Sequence, residues 1–422
     1  MRMGEGKYKT IAFLTLGCKL NYAETSTYER LFSAAGLKAA PRGEAADIYL
    51  VNTCSVTATA DAKSRNLIRK VQRLNPGAAV IVTGCSAQLR REEIEAIPGV
   101  TRVFGCNEKS SVVPDTLAAL GITSALTTPP PPVFDAWSSG ERTRSFLKVQ
   151  DGCNNLCAYC TVPYARGESR NVPLARCVAN AESIASLGVK EIVLTGVNTG
   201  DFGRSTGESF ADLLKALDQV EGIERYRISS IEPNLLSNEI IDWIASGTKF
   251  QPHFHIPLQS GSDELLARMG RHYDTAFFAA KLDYVRKALE RSGGPKVFFG
   301  IDVMVGLPGE SEALFEQTYS FLQQISPAFI HVFPYSRRPG TPAATMSGQV
   351  SEAVKKERVA ALEELCSRLH AEFVESNRGV KEKVLFESTS RQGFMEGYTG
   401  NYIRIRRPWE ASLCGKIVDV TI

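Results

Sequence analysis

Three cysteines stand in the run Asp151-Gly152-Cys153-Asn154-Asn155-Leu156-Cys157-Ala158-Tyr159-Cys160, a C-x3-C-x2-C spacing. That spacing can seat three irons of a 4Fe-4S cluster and leaves the fourth iron without a local thiolate. A cluster that only carries electrons is usually closed by four cysteines, whereas an iron with open positions can chelate a small molecule and act on it. A structural zinc site wants four Cys or His ligands, and no second CxxC or HxxxH lies close enough to complete one.

A second set of cysteines is dispersed. Thr10 to Gly17, Asp47 to Thr53 and Ala79 to Gly84 each read as a β-strand, ending at Cys18, Cys54 and Cys85, and each is followed by a helical pattern. Asn21 with Glu24 reads as a capping box opening the first helix, and Asn75-Pro76-Gly77 as the stop of the second. Strands alternating with helices predict an α/β domain with a parallel sheet. In such a sheet the carboxyl ends of the strands share one edge, where ligands bind. The three cysteines are therefore expected to meet, either as a second cluster site or as small buried residues. Cys106, Cys177, Cys366 and Cys414 follow no such pattern and are assigned to packing.

These groups need a scaffold, and 422 residues suffice for two or three domains with full cores. The Thr-Thr-Pro-Pro-Pro-Pro run after Leu126 marks a connector, which divides the chain into 1–126, a linker 127–143, 144–379 and 380–422. In the second part Phe146-Gln150, Glu191-Thr195, Tyr226-Ser230, Phe254-Leu258, Val297-Val305 and Phe329-Phe333 read as strands separated by helices. Six βα units predict a partial parallel (β/α)6 barrel with its functional loops at the carboxyl ends. Val350 to Asn377 reads as one long helix closed by Gly379. The four short strands after it predict a small closed β-barrel. There Tyr398, Tyr402 and Trp409 with Arg404, Arg406 and Arg407 either stack on and neutralise RNA or form core aromatics and a solvated basic face.

Composition excludes several classes. With 43% hydrophobic and 23% charged residues the chain is not disordered, and no apolar run is long enough to span a membrane. The polar N-terminus is no secretory signal, so the expectation is a cytoplasmic protein whose ten cysteines stay reduced. The formal charge of +3 is too small to diagnose nucleic-acid binding. Neither G-x-G-x-x-G nor a Walker A lysine motif is present, so nucleotide-phosphate binding has no support.

With Tyr159 just before its last cysteine, the C-x3-C-x2-C run resembles the radical S-adenosylmethionine (SAM) superfamily. The resemblance implies that the open iron holds SAM and that one-electron reduction cleaves it to a 5'-deoxyadenosyl radical. The segments Thr15-Leu-Gly-Cys-Lys-Leu-Asn21, Val51-Asn-Thr-Cys-Ser-Val-Thr57, Val82-Thr-Gly-Cys-Ser-Ala-Gln88 and Val149-Gln-Asp-Gly-Cys153, in this order, are similar to the methylthiotransferases. Leu194-Thr-Gly-Val-Asn198, Ser229-Ser-Ile-Glu-Pro233, His255-Ile-Pro-Leu-Gln-Ser-Gly-Ser262, Ile301-Asp-Val-Met-Val-Gly306 and Phe333-Pro-Tyr-Ser-Arg-Arg-Pro-Gly-Thr341 most resemble the branch that acts on N6-threonylcarbamoyladenosine in tRNA. The C-terminal segment resembles the RNA-binding TRAM domain. Only the stretch before Thr10 is unmatched.

That resemblance implies a flavodoxin-like N-terminal domain holding an auxiliary 4Fe-4S cluster through Cys18, Cys54 and Cys85. A second 4Fe-4S cluster sits at Cys153, Cys157 and Cys160. One SAM gives its methyl to sulfur at the auxiliary cluster, a second is cleaved, and carbon 2 of the adenine gains a methylthio group. The partners implied are a tRNA anticodon stem-loop, a reducing electron donor and a sulfur donor, with no membrane. No side-chain acid or base is nominated as catalytic. By position and resemblance, Tyr159 lies near the SAM adenine, Asn198 near its methionine end, and Ser230, Glu232 and Gln259 near ribose or carboxylate. Gly306 is a close-approach turn beside them. For the substrate carboxylate an arginine fork suits best, with Arg337 and its neighbour Arg338 first and Arg166 or Arg170 next, while Arg404 and Arg406 alternate on one strand face toward RNA phosphates. Competing expectations are a methylthiotransferase for isopentenyladenosine tRNA or for a ribosomal protein side chain. From another class comes a non-catalytic iron-sulfur RNA-binding protein or cluster carrier with no use for SAM.

Overall fold

The computed structural model describes residues 8–41, 43–123, 133–140 and 142–422. The first unit is a five-stranded parallel sheet of β1 (Thr10–Thr15), β2 (Lys38–Ala39), β3 (Ile48–Thr53), β4 (Ala79–Gly84) and β5 (Val100–Val103). Their order β2-β1-β3-β4-β5 is that of a doubly wound sheet. β3 and β4 are buried along their whole length, which is why they read as unbroken apolar runs. The strands end where the cysteines require. α1 (Lys19–Ala34) begins just after Cys18, α2 (Ala58–Leu74) follows β3, and the short α3 (Cys85–Leu89) starts on Cys85 itself.

The first helix corrects one expectation. Asn21 and Glu24 are no capping box: Cys18 is the N-cap and makes no side-chain cap bond. Both residues are buried. Asn21 Nδ2 donates to the carbonyls of Leu16 (2.8 Å) and Thr53 (2.9 Å), lashing α1 to two strand ends. The second helix ends at Asn75 as expected.

Of the linker expected at 127–143, residues 127–132 and 141 lie outside the described residues. The stretch 133–140 is packed rather than free. Phe134 stacks on Tyr28 at 4.9 Å, the Arg30 guanidinium lies 3.5 Å over the Trp137 ring, and Trp137 bridges to Leu147.

Six parallel strands follow: β6 (Arg144–Lys148), β7 (Glu191–Thr195), β8 (Arg225–Ile228), β9 (His253–Gln259), β10 (Phe298–Val305) and β11 (Phe329–Pro334). They form two sheets, β8-β7-β6 and β9-β10-β11, joined where the amide of Ile231 donates to the carbonyl of His255 (3.1 Å). One face of this arc carries Leu147, Ile192, Leu194, Ile256, Ile301 and Val303 into an apolar core beneath the helices. The alternate residues, Arg227, His255, Asp302 and His331 among them, face the other way, as the period of two demands.

The helix Glu352–Glu375 leads to β12 (Lys381–Arg391), β13 (Phe394–Thr399), β14 (Arg404–Pro408) and β15 (Ile417–Thr421). These pair antiparallel in the order β14-β13-β12-β15, so the expected closure is absent among the described strand pairings and β14 and β15 are edges. Tyr398 and Tyr402 are also not a free stacking surface. Tyr402 packs 4.7 Å from His253 and 4.9 Å from Tyr398, and its hydroxyl accepts from Arg144 (3.1 Å).

Arginines on the strand arc hold this last sheet. Arg227 pairs with buried Glu191 (2.8 Å) and donates to the carbonyls of Gly400 (2.7 Å) and Thr399 (2.8 Å), while Arg225 donates to those of Tyr398 (3.1 Å) and Lys383. Arg227→Met would remove the nearest partner of Glu191 and the side-chain donor to Gly400 O, while Arg225 (3.6 Å) and Arg144 (3.8 Å) still face the carboxylate, so it is expected to destabilise the protein by about 2–3 kcal/mol, below the full cost of a broken buried ion pair. Denaturant unfolding measures this, and an unchanged midpoint would contradict it.

Candidate functional site

The C-x3-C-x2-C loop leaves β6 through a two-residue pairing of Gln150–Asp151 with Arg170–Asn171. Gly152 makes the turn at φ +71°, and any Cβ there would strike the backbone of Glu168. Each sulfur accepts one hydrogen bond: Cys153 from the Asn155 amide (3.3 Å), Cys160 from the Val162 amide (3.4 Å) and Cys157 from Arg271 Nη1 (3.0 Å). Such donors favour thiolate ligands. Burial pushes the free thiols of Cys153 and Cys160 up to about 11 and about 12, so loading a metal group must displace protons.

The dispersed triad converges too. Cys54 and Cys85 are buried and Cys18 is exposed, and Cys54 feels the charges of both others. Gly17, at φ +106°, brings its chain so close that a Cβ would lie 2.9 Å from Cys54 Cβ. Around a zinc with 2.3 Å bonds, sulfurs sit about 3.8 Å apart. Among the described residues, only His255, Asp302 and His331 have ligand atoms all within 4.8 Å of one another. Neither cysteine triad is that tight, which suits a multi-iron cluster better than a single ion. The fourth cysteine here, Cys106, was assigned to packing; it shares an apolar cluster with Cys85 and Ala165. Its hydrogen bond to Cys85, with Arg166 assisting against burial, holds the Cys85 thiol down at about 6.

A buried ion-pair network joins the two triads. Arg166 donates from Nη1 to Asp151 (2.8 Å), two residues before Cys153, and from Nη2 to Asn21 (2.6 Å), three residues after Cys18. Lys109 and Lys148 complete it, Lys109 at 2.6 Å from Glu24 and Lys148 at 2.7 Å from Asp151. Burial would raise Glu24, but Lys109, Lys148 and Arg166 hold it at about 2. Four cations, Lys109, Lys148, Arg166 and the partly exposed Arg170, face two carboxylates, and the surplus positive charge lies beside Cys85 and Cys18. An anionic thiolate-bound cluster matches that environment.

At the carboxyl ends of the arc the SAM positions fare differently. Asn198 Oδ1 and Ser262 Oγ are buried without a hydrogen-bond partner among the described residues, so each can still take up a ligand's polar group. Tyr159 is half-buried, with Arg271 Nη1 3.5 Å from its hydroxyl. Ser230 uses its carbonyl to accept from Thr199 Oγ1 (2.9 Å). Gln259 is left-handed at φ 72°, where β9 shifts register against β10. Gly306, at φ +76°, makes room for Lys355. Glu232 pairs with Arg271.

Arg271 and Gln150 escaped the sequence reading. Arg271 binds Cys157, Glu232 and the Tyr273 hydroxyl (2.9 Å) at once. Gln150 Oε1 accepts from the amides of Val197 and Asn198 (2.9 Å each), and its Nε2 donates to Gly152 O (2.7 Å). It thereby ties the cysteine loop to the Asn198 loop. No local motif marks either residue.

The arginines expected to bind substrate are largely engaged. Arg338 is buried against Asp61 and Ser55, and Arg166 belongs to the network above. Arg170 donates to Arg166 O (2.6 Å) and Arg337 Nε to Ala344 O (2.6 Å). Arg404 is exposed, 3.6 Å from Glu396, and Arg406 lies 4.1 Å over the Phe394 ring.

Residues 10–105 match the family model described as uncharacterized protein family UPF0004, and residues 147–322 that of the radical SAM superfamily. The chain is 40% identical, over 98% of its length and 93% of the relative's, to the threonylcarbamoyladenosine tRNA methylthiotransferase MtaB of Bacillus subtilis. Identity to the Aquifex aeolicus protein of that name is 36%, over 98% of this chain and all of the other. A tRNA-2-methylthio-N(6)-dimethylallyladenosine synthase of Citrifermentans bemidjiense is 33% identical over 98% of this chain and 96% of its own. Among solved structures, the radical SAM methyltransferase TsrM of Kitasatospora setae aligns at a TM-score of 0.58 with 15% identity, over 80% of this chain and 75% of that one, a likeness of fold alone.

Proposed function

Because the chain belongs to the radical SAM tRNA methylthiotransferases, we propose that it methylthiolates carbon 2 of N6-threonylcarbamoyladenosine beside the anticodon of tRNA. In this reading it uses two SAM and two 4Fe-4S clusters, held by Cys18, Cys54 and Cys85 and by Cys153, Cys157 and Cys160. The observation that carries it is the meeting of two cysteine triads across one buried bridge, Asn21 to Arg166 to Asp151. Carbon 2 of adenine is neither acidic nor bears a leaving group, and SAM with the clusters supplies, when bound, the radical and the methylated sulfur that substitution there requires. The chain's part is to orient and exclude water. Arg271 and two backbone amides steady the sulfurs of one triad, Gln150 fixes the Asn198 loop, and the network of Glu24, Lys109, Lys148 and Arg166 fixes the distance to the other triad.

The first 126 residues are read as the auxiliary-cluster domain, 144–379 as a partial (β/α)6 radical SAM barrel and 380–422 as a TRAM-like RNA-binding unit. Reduction and sulfur come from outside donors. No helix among the described residues is long and apolar enough to cross a membrane, and work on tRNA suits the cytoplasm. A dimethylallyl substrate is the second reading, supported by the 33% identity to the Citrifermentans enzyme. Anaerobic reaction of the reconstituted protein with tRNA bearing threonylcarbamoyladenosine or isopentenyladenosine, followed by nucleoside mass spectrometry, separates the two. Product on the isopentenyl tRNA alone would overturn the first.

The RNA-facing proposal rests on an open groove of about 510 Å³ lined by Arg391, Gln392, Phe394, Glu396 and Arg406, with Trp409 37% exposed nearby in sequence. Removing Arg404 and Arg406 together as Ala is expected to weaken tRNA binding and lower the slope of log affinity against log salt by about 1–2. An unchanged slope in a fluorescence titration would make them solvated surface.

A further inference from the structure

Lys19 follows Cys18 and comes from the N-terminal unit, yet its ammonium feels the charges of Arg144, Arg227 and Asp302 on the polar face of the strand arc. The residue itself is exposed. The arginines Arg144, Arg166, Arg225 and Arg227, by contrast, donate to carboxylates, hydroxyls or carbonyls. Among the described residues the Lys19 ammonium has no hydrogen-bond or ion-pair partner. It is an unspent cation beside the auxiliary cysteines.

The face opposite it offers complementary groups. Asp302 and His331 are register partners on β10 and β11, and His255 Nε2 lies 2.6 Å from Asp302 Oδ1. His255 and Asp302 keep partly exposed side chains (21% and 18%), and the His331 ring lies tilted against that of His255, 4.9 Å between centroids. Asp302 Oδ2 and the His331 ring nitrogens have no hydrogen-bond partner among the described residues. Two residues further along β11, on the same face, Phe333 is 48% exposed and pairs with Met304, a platform on which a base can stack. The trio could be read as a metal site, but His255 and Asp302 already satisfy each other.

We propose that this face is the pocket for the N6 side chain of the substrate adenosine, with Lys19 as the cation that takes its carboxylate and Asp302 and His331 as partners for its hydroxyl and ureido groups. The proposal rests on the threonylcarbamoyladenosine reading and names the residues of that same site which recognise it. The adenine ring fits it. N1 alone separates carbon 2 from carbon 6, so a base with carbon 2 at the strand ends, near both cysteine triads, sends its N6 substituent down the arc. Asp302 lies two residues before Met304, about 7 Å lower at 3.3 Å per residue. Phe333 then holds the ring and Lys19 the far end. A carboxylate removed from water needs such a cation, and the isopentenyl group has no use for one.

The test uses the holoenzyme with both clusters loaded and anticodon stem-loops bearing threonylcarbamoyladenosine, its carboxyl-neutral methyl ester, isopentenyladenosine or plain adenosine. Wild type is expected to bind the acid at least about tenfold more tightly than the ester. Lys19→Ala should lose that difference, binding acid and ester alike, and Lys19→Arg should restore most of it. Asp302→Asn should weaken the acid and the ester equally. Because the ester alters the ligand and not the protein, the comparison survives even if Lys19→Ala loads its auxiliary cluster poorly. A wild-type enzyme that favours acid over ester while Lys19→Ala keeps the full preference overturns the inference and leaves the substrate intact. A wild-type enzyme that neither prefers nor methylthiolates the threonylcarbamoyl stem-loop overturns the substrate reading itself. One Mn2+ bound per chain and lost in Asp302→Asn would reassign the trio to a metal and also overturn the pocket.

Discussion

Replacing Cys153, Cys157 and Cys160 together by Ala is expected to remove about half of the iron and sulfide and to abolish 5'-deoxyadenosine formation from SAM, while the spectrum of the remaining cluster persists. The two proposed ligand sets come from different sheets and share no residue, and among the described residues the network around Arg166 connects them. The reciprocal change of Cys18, Cys54 and Cys85 to Ala should spare SAM cleavage and eliminate methylthio product. Iron and sulfide analysis with electron paramagnetic resonance of the reduced proteins measures both. Loss of all iron from either triple variant would contradict independent sites, and methylthio product from the second would remove the auxiliary triad from the chemistry.

Arg271→Ala carries the next largest effect. This one side chain donates to the Cys157 sulfur, pairs with Glu232 and meets the hydroxyls of Tyr273 and Tyr159. Without it a largely buried carboxylate is left unpaired and a ligand sulfur loses its donor. SAM cleavage is expected to fall about 10–100-fold, the range for partners that orient metal ligands, with the auxiliary cluster intact. Arg271→Lys should recover only part of this, since a point charge cannot reach sulfur, carboxylate and phenol together. Anaerobic single-turnover assays of 5'-deoxyadenosine read the effect. A wild-type rate in Arg271→Ala would reduce the residue to scaffold.

The strand ends and both cysteine triads were legible because they depend on local patterns. β3 and β4 are continuous apolar runs, the loop triad has its own spacing, and parallel topology carries Cys18, Cys54 and Cys85 to one edge without knowledge of side-chain contacts. The six strand candidates of 144–379 fall within a few residues of β6 to β11 for the same reason. Contacts between units were not legible. Asn21 and Glu24 fit a capping box by spacing, yet tertiary burial claims both, since a strand-end carbonyl and two lysines from other elements outbid the helix terminus. Arg271 lies 114 residues from Cys157, and nothing in Met269-Gly-Arg-His-Tyr announces that reach. Tyr398 and Tyr402 have the composition of an RNA platform, but the arginines of β6 and β8 turn them inward. Arg338 was placed on the open face by its position after β11, where Asp61 of α2 occupies it instead. In each case residue type was read correctly and the partner, contributed by a distant segment, decided the role.

In the proposed function the chain divides one reaction between two sites, sulfur and methyl at Cys18, Cys54 and Cys85, and radical formation at Cys153, Cys157 and Cys160. The most direct measurement supplies SAM labelled with a CD3 methyl to the reconstituted protein and threonylcarbamoyladenosine tRNA, and counts three products by mass spectrometry. S-adenosylhomocysteine, 5'-deoxyadenosine and CD3-thio-labelled nucleoside are expected in equal amounts during tightly coupled turnover. Labelled nucleoside formed without S-adenosylhomocysteine, or without 5'-deoxyadenosine, would contradict that division.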